Sequence, residues 1–286
     1  MRRSAVVLSV LGLVAMAVAA VLGLAVAGVY GPPASVAAML RGYDLVTLAV
    51  AVPLLAGALL GMRRGSVVAE LVWVGGLAYG VYTYAVYLFA AGFHGLFLLH
   101  VVAFACCVWA LPSALTTLDP AAVVRRASGR VLPRIVSVVL AILAVALGGM
   151  WVIAALRYAV TGVLPVSSAL VEPDVLVHAG IALDLALLVP AYGLAAVLLW
   201  RRTGWGYVAA GAALVSGTLL QVGYLVALPF QAAAGVPGAQ AFDAGEPPIA
   251  LAYLLATITL FACLRHPAPA QGDGAGQAST VARASS

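Results

Sequence analysis

The sequence predicts an all-α membrane protein, a polytopic bundle of about eight transmembrane helices. Of its 286 residues, 65% are hydrophobic and only 8% are charged, whereas soluble domains are about 25% charged. The apolar residues form continuous runs of about 20, the length that crosses about 30 Å of hydrocarbon. A membrane β-barrel would show alternating polar and apolar residues instead, so the runs are predicted to be helices.

Eight runs are long enough to cross a membrane, and we call them the first to eighth spans. They cover residues 5–29, 44–62, 66–90, 93–115, 135–158, 177–200, 205–229 and 248–264. Residues 1–266 are therefore predicted to form one transmembrane domain. Residues 267–286 are mostly Pro, Gly, Ala, Ser and Gln. That composition cannot bury a core, so a disordered cytoplasmic tail is predicted.

The positions of the arginines predict the orientation. The 14 basic residues are all arginine, and 12 of them lie on one side of the spans. These are Arg2, Arg3, Arg63, Arg64, Arg125, Arg126, Arg130, Arg134, Arg201, Arg202, Arg265 and Arg283. Because arginine-rich loops stay in the cytoplasm, we predict a multi-pass protein of the inner (plasma) membrane with both termini cytoplasmic. The net charge of +5 reflects these anchors, so no nucleic acid partner is predicted.

The longest arginine-rich loop, residues 116–134, contains a signal for a helix start. Asp119 precedes Pro120, and four arginines follow. An N-capping acid before proline is typical of the first turn of a helix. A short helix at the membrane interface is therefore predicted.

The second and sixth spans contain similar sequences in the same order. Each has an Asp-Leu pair, a Val-Pro pair and an Arg-Arg pair: Asp44-Leu45, Val52-Pro53 and Arg63-Arg64, then Asp184-Leu185, Val189-Pro190 and Arg201-Arg202. Pairing spans one to four with spans five to eight predicts two parallel four-helix repeats, an arrangement found in some transporters. Pro53 and Pro190 each remove a backbone hydrogen bond, so they are candidate flex points.

Asp184 is the main candidate for a functional group inside the membrane. It lies about 10 Å below the end of the sixth span, at 1.5 Å per residue. A charged side chain in lipid costs a few kcal/mol and usually faces the bundle interior. Asp184 is therefore a candidate proton or cation site, or the partner of a histidine. The alternative is a structural hydrogen bond between helices.

Three histidines, His94, His100 and His178, lie on the same side as Asp184. His94 and His100 are six residues apart, as are His178 and Asp184, so the members of each pair do not share a helix face. Depth in the membrane allows His100 to meet Asp184, or His94 to meet His178. A polar or proton-relay role and simple packing both stay open. Neither a metal site nor a cofactor is predicted.

Two further pairs of polar side chains are each about one helical turn apart. Tyr79 and Tyr82 lie in the third span, and Gln221 and Tyr224 in the seventh. Such pairs on one helix face could line a cavity for an apolar or aromatic ligand. The alternative is a packing stripe, or for tyrosine an aromatic belt at the interface.

The motif Tyr82-x-Tyr84-x-x-Tyr87 is followed by Leu183-Asp184-Leu185 and by Val189-Pro190 before the Arg201-Arg202 pair. In this pattern the second to seventh spans resemble uncharacterised bacterial multi-pass inner-membrane proteins. The resemblance implies the membrane fold and no particular activity.

Three function classes follow from these residues. The first is a small-molecule or ion-coupled permease that uses Asp184. The second is a membrane-embedded enzyme acting on a lipid or quinone with the histidines and Asp184. The third is a non-catalytic component or sensor that needs a partner. The expected partners are the lipid bilayer and a small-molecule or lipid ligand, while a homo-oligomer or a partner membrane protein stays open.

Overall fold

The computed structural model of the protein describes residues 2–166 and 169–264. Eight helices in this part of the chain are long and apolar enough to cross a membrane. They are Arg2–Ala25, Ala34–Arg63, Val67–Phe89, Phe97–Leu115, Val131–Thr161, Asp174–Trp200, Gly204–Ala233 and Glu246–Cys263. The predicted fold class is confirmed, and the protein is an integral membrane protein. The predicted tail, residues 267–286, and Arg265 and Arg283 lie outside the described residues.

The second span begins at Ala34, ten residues before the predicted start. Polar side chains inside it explain the difference. Arg41 donates to the Leu24 carbonyl oxygen at 2.7 Å. Asp44 is 1% exposed and accepts a hydrogen bond from the Tyr87 hydroxyl. The polar residues interrupt the apolar run in the sequence, but the helix continues through them. Their side chains form hydrogen bonds with other parts of the bundle.

The second and sixth spans each contain a five-residue π-helical segment. These segments are Thr47–Ala51 and Asp184–Leu188, and each ends two residues before a proline, Pro53 or Pro190. A proline has no N–H and its ring crowds the carbonyl of the preceding turn. Widening that turn to a π-helix relieves the crowding while the helix continues.

The turns after these spans also match. Ser66 caps the third span by accepting from the Ala69 N–H at 3.2 Å, and Thr203 caps the seventh by accepting from the Gly206 N–H at 3.0 Å. Ser66 and Thr203 are 137 positions apart, as are Pro53 and Pro190. The match describes these two helical hairpins, and the full four-helix repeat stays a prediction.

The third and seventh spans form the centre of the bundle. In the most apolar 18-residue window of each span, 72% of the residues of the third span and 56% of those of the seventh are buried, against 6% for the fifth. The seventh packs on the second, third, sixth and eighth spans, while the first packs on the fourth and the fifth on the sixth. A Cβ on Gly42 would lie 2.6 Å from the Ala227 Cα, so glycine lets the second and seventh spans approach closely.

The loops separate onto two faces, which we call arginine-rich and arginine-poor. On the arginine-rich face, Arg2 pairs with Glu70 at 3.2 Å and the Ser128 N–H donates to the Cys263 carbonyl at 2.9 Å. The predicted short helix is present on this face as Pro120–Arg126. These contacts tie together parts of the chain that are far apart in the sequence.

The arginine-poor face is tied together by Gln231 at the end of the seventh span. Its amide nitrogen donates to the carbonyl oxygens of Ser35 and Val171 at 2.9 Å, and its amide oxygen accepts from the Val171 N–H at 2.9 Å. The Gly95 N–H also donates to the Val29 carbonyl at 3.1 Å. Gln231 is fully buried, so its satisfied amide fixes the loop above the sixth span.

Candidate functional site

A cavity of about 150 Å³ lies in the arginine-poor half of the bundle. The second, third, sixth and seventh spans enclose it, together with one residue of the fifth span and the loop before the sixth. Its polar and aromatic lining consists of Tyr43, Tyr82, Thr83, Tyr87, Trp151, Glu172, Asp184 and Tyr224. The lining runs from Glu172 in the loop down to Asp184 inside the membrane span. None of the described lining residues is Arg or His.

Asp184 lies at the inner end of this cavity and connects three spans. The Tyr82 hydroxyl donates to its Oδ1 at 2.7 Å, and the Trp151 indole N–H donates to its Oδ2 at 2.7 Å. Both donors are neutral, and Asp184 forms no ion pair with any described residue. The carboxyl is thus held in position by two hydrogen bonds from neutral donors, and no described basic side chain pairs with it.

The local helix geometry places Asp184 at the start of the π-helical segment Asp184–Leu188. A π-helical turn has one residue more than the regular i to i+4 pattern, so it changes which side chains face inwards. The orientation of the Asp184 side chain therefore depends on the π-helical segment that precedes Pro190. Such segments occur frequently at functional sites.

The two tyrosines predicted to share a face of the third span have different partners. Tyr82 lines the cavity and bonds Asp184. Tyr79 is fully buried elsewhere, where its hydroxyl shares a hydrogen bond of 2.7 Å with Thr47 of the second span. Of the pair, only Tyr82 belongs to the cavity.

The two candidates of the seventh span also separate. Tyr224 lines the cavity, and its hydroxyl oxygen accepts from the Ala169 N–H at 3.0 Å. Gln221 lies outside the lining and donates to Glu246 Oε2 at 2.6 Å. Tyr224 thus holds the loop that covers the cavity, while Gln221 connects the seventh and eighth spans.

A second buried polar cluster lies beside the cavity, and we call it the Asp44 cluster: Tyr30, Asp44, Tyr87, His94 and His100. The Tyr30 hydroxyl donates to Asp44 Oδ2, and the Tyr87 hydroxyl donates to Asp44 Oδ1 at 3.0 Å and to the Leu40 carbonyl at 2.8 Å. Burial, reinforced by the Asp44 carboxylate, raises the pKa of the Tyr30 phenol, so Tyr30 stays a donor at neutral pH.

His94 and His100 meet in the Asp44 cluster, with ring centroids 4.9 Å apart. His100 is fully buried against Tyr87, and neither of its ring nitrogens has a hydrogen-bond partner among the described residues. His94, in the loop between the third and fourth spans, accepts from the Leu96 N–H through Nδ1 at 3.2 Å. Burial lowers the pKa of His94, so its imidazole is neutral at pH 7.

His178 lies apart from both groups. It is exposed and lines a separate cleft of about 640 Å³ with Asp174 and Tyr158. Asp184 bonds Tyr82 and Trp151, and His100 packs on Tyr87. The pairings that depth allowed, His100 with Asp184 and His94 with His178, are therefore not formed.

Several residues of the two sites were not predicted from the sequence. The predicted span bounds put Asp44 at the start of the second span, Tyr30 between the first two spans, and Trp151 in the fifth span, which is the least buried of the eight. The similarity of Asp44-Leu45 to Asp184-Leu185 was the one signal that could have identified Asp44. Nothing along the sequence indicated that Trp151 faces Asp184.

Residues 2–166 and 169–264 contain no group of three His, Cys, Asp or Glu side chains arranged to hold a metal ion. Comparison with protein-family models, with curated proteins and with solved structures gave no significant match.

Proposed function

We propose that this protein is a small-molecule or ion-coupled permease whose substrate site is the Asp184 cavity. One observation carries the proposal: Asp184, inside a membrane span, lines a cavity and accepts hydrogen bonds from the neutral donors Tyr82 and Trp151. An ionisable group in a span is costly, and it usually marks a path for an ion, a proton or a substrate.

The helices beside the cavity support movement around this site. The second and sixth spans both contribute lining residues, and both contain a π-helical segment followed by a proline. Prolines at corresponding positions of two similar membrane segments point to the binding site of a transporter, and Pro53 and Pro190 occupy such positions. With the arginine-rich face in the cytoplasm of a plasma-membrane protein, the cavity lies nearer the outer side.

The other function classes have weaker support. An enzyme using the histidines with Asp184 requires them to converge, whereas His178 is exposed and His100 belongs to the Asp44 cluster. A component without a ligand requires a closed bundle, whereas a cavity reaches Asp184. The bilayer is the partner that a permease requires, and a homo-oligomer or a partner membrane protein is compatible with it.

The proposal is tested with the full chain in liposomes that enclose a pH-sensitive dye. Small amines, amino acids, sugars and carboxylates are added outside under an imposed pH gradient. At least one class is expected to change the internal pH faster than in protein-free liposomes, and Asp184→Asn is expected to abolish the change. Asp174→Asn, an equal charge change in the exposed first turn of the same span, is the matched control. Absence of flux for every class would overturn the proposal.

A further inference from the structure

We propose that the Asp184 cavity binds a small organic cation of the alkylammonium type. The inference rests on the proposed function, since it names the substrate class of the same site. It follows from three properties of the lining, namely its charge, its aromatic content and its size.

The lining contains acidic side chains, and none of its described residues is basic. Asp184 and Glu172 lie at its two ends. An ionised carboxylate in a low-dielectric site is costly unless a cation neutralises it. Asp184 receives hydrogen bonds from Tyr82 and Trp151 and no ion pair from any described residue. A bound cation would supply the missing counter-ion.

The walls between these acids are aromatic and aliphatic. Five aromatic side chains, Tyr43, Tyr82, Tyr87, Trp151 and Tyr224, contribute to the lining. Aromatic rings attract organic cations, and tryptophan does so most strongly. The remaining lining is largely Leu, Val, Ile and Met, which suits the methyl groups of an alkylammonium ion better than the hydroxyl groups of a sugar.

The size of the cavity limits the ligand. A cavity of about 150 Å³ is similar to the engineered cavities of about 150 Å³ that hold one benzene molecule. Drug-sized ligands occupy about 300 Å³ or more. The cavity therefore suits an ion of about five or six heavy atoms, such as tetramethylammonium.

The test is calorimetric titration of the purified full chain with tetramethylammonium chloride. The control ligand is tert-butanol, which has a similar shape and number of heavy atoms but no charge. Saturable binding of tetramethylammonium is expected, together with much weaker binding of tert-butanol. Sodium chloride at equal concentration controls for ionic strength and for binding of an inorganic cation.

Variants connect the binding to the site. Asp184→Asn is expected to weaken tetramethylammonium binding at least about tenfold, and Asp174→Asn is expected to leave it unchanged. Glu172→Gln, in the loop, provides a second test should Asp184→Asn fail to fold, and a weakening of at least about threefold is expected. Size-exclusion chromatography of each variant checks the fold.

The outcomes separate this inference from the permease proposal. Equal binding of tert-butanol, equal binding of sodium, or no binding of tetramethylammonium each overturn the organic-cation site. If a neutral or anionic solute still drives flux in liposomes, the permease proposal survives that result. If tetramethylammonium binds through Asp184 but no solute is moved, the cation site stands and the permease proposal falls.

Discussion

The Tyr87 hydroxyl lies 3.0 Å from Asp44 Oδ1, while the side chain of Tyr87 also lines the Asp184 cavity. The same hydroxyl lies 2.8 Å from the Leu40 carbonyl oxygen, so two acceptors share one hydroxyl hydrogen. Tyr87 is therefore the side chain through which the Asp44 cluster contacts the cavity. A change at Asp44 is therefore expected to reach the Asp184 cavity through this tyrosine.

Replacing Tyr87 with phenylalanine is expected to destabilise the fold. Asp44 and the Leu40 carbonyl would lose a buried donor, which costs about 1–3 kcal/mol. Thermal unfolding in detergent measures the loss. Tyr207→Phe is the matched control, because the Tyr207 hydroxyl is also buried but has no partner among the described residues. Equal stability of the Tyr87 variant and the control would contradict the role of Tyr87.

Replacing His100 with phenylalanine is expected to change stability by less than about 1.5 kcal/mol. The imidazole is fully buried, and its nitrogens form no hydrogen bond with the described residues, so a ring of similar shape retains the packing. His100→Ala is expected to cost about 2 kcal/mol or more, since it leaves a cavity. A loss with phenylalanine as large as that with alanine would contradict a packing role for the His100 ring.

Acidification is expected to destabilise the protein through His94. Burial lowers the pKa of His94 below its usual value of 6.5, so the unfolded chain binds a proton that the folded protein does not. The contribution of neutral His94 to stability is therefore fully present above its unfolded pKa of about 6.5. It is lost as the pH falls towards the lower pKa of His94 in the folded protein. Unfolding temperatures measured between pH 7.5 and pH 5 give the slope. His94→Gln should reduce the slope, and an unchanged slope would exclude His94 as a contributor.

The predicted orientation is tested by labelling introduced cysteines in intact cells with a membrane-impermeant maleimide. Ala234 is exposed on the arginine-poor face and Ala121 on the arginine-rich face. Cysteine at 234 should be labelled and cysteine at 121 should be protected until the cells are opened. Cys106, Cys107 and Cys263 are buried, so the background is low. Labelling at 121 with protection at 234 would contradict the predicted orientation.

The sequence predicted the spans better than the contacts between them. Hydropathy determines that eight helices form, because a continuously apolar run satisfies its own backbone hydrogen bonds in lipid by forming a helix. It does not determine how each helix is rotated, because these helices are apolar on nearly every face. Asp184 could thus be recognised from its cost in lipid, whereas its partners Tyr82 and Trp151 depend on the rotation of the third and fifth spans. Asp44 was missed for the related reason that its partners are distant in sequence.

The most direct test of the Asp184 cavity as the substrate site uses a cysteine at Gly180. Gly180 lines the cavity, and a Cβ there has no neighbouring heavy atom within 4 Å. The reagent is the methanethiosulfonate that carries a trimethylammonium group, and Gly193→Cys, which has similar space in the same span, is the control. We expect modification of Gly180→Cys to stop solute flux, and the transported solute to slow that modification, with no effect on the control. Full flux after complete modification of Gly180→Cys would contradict the proposed site.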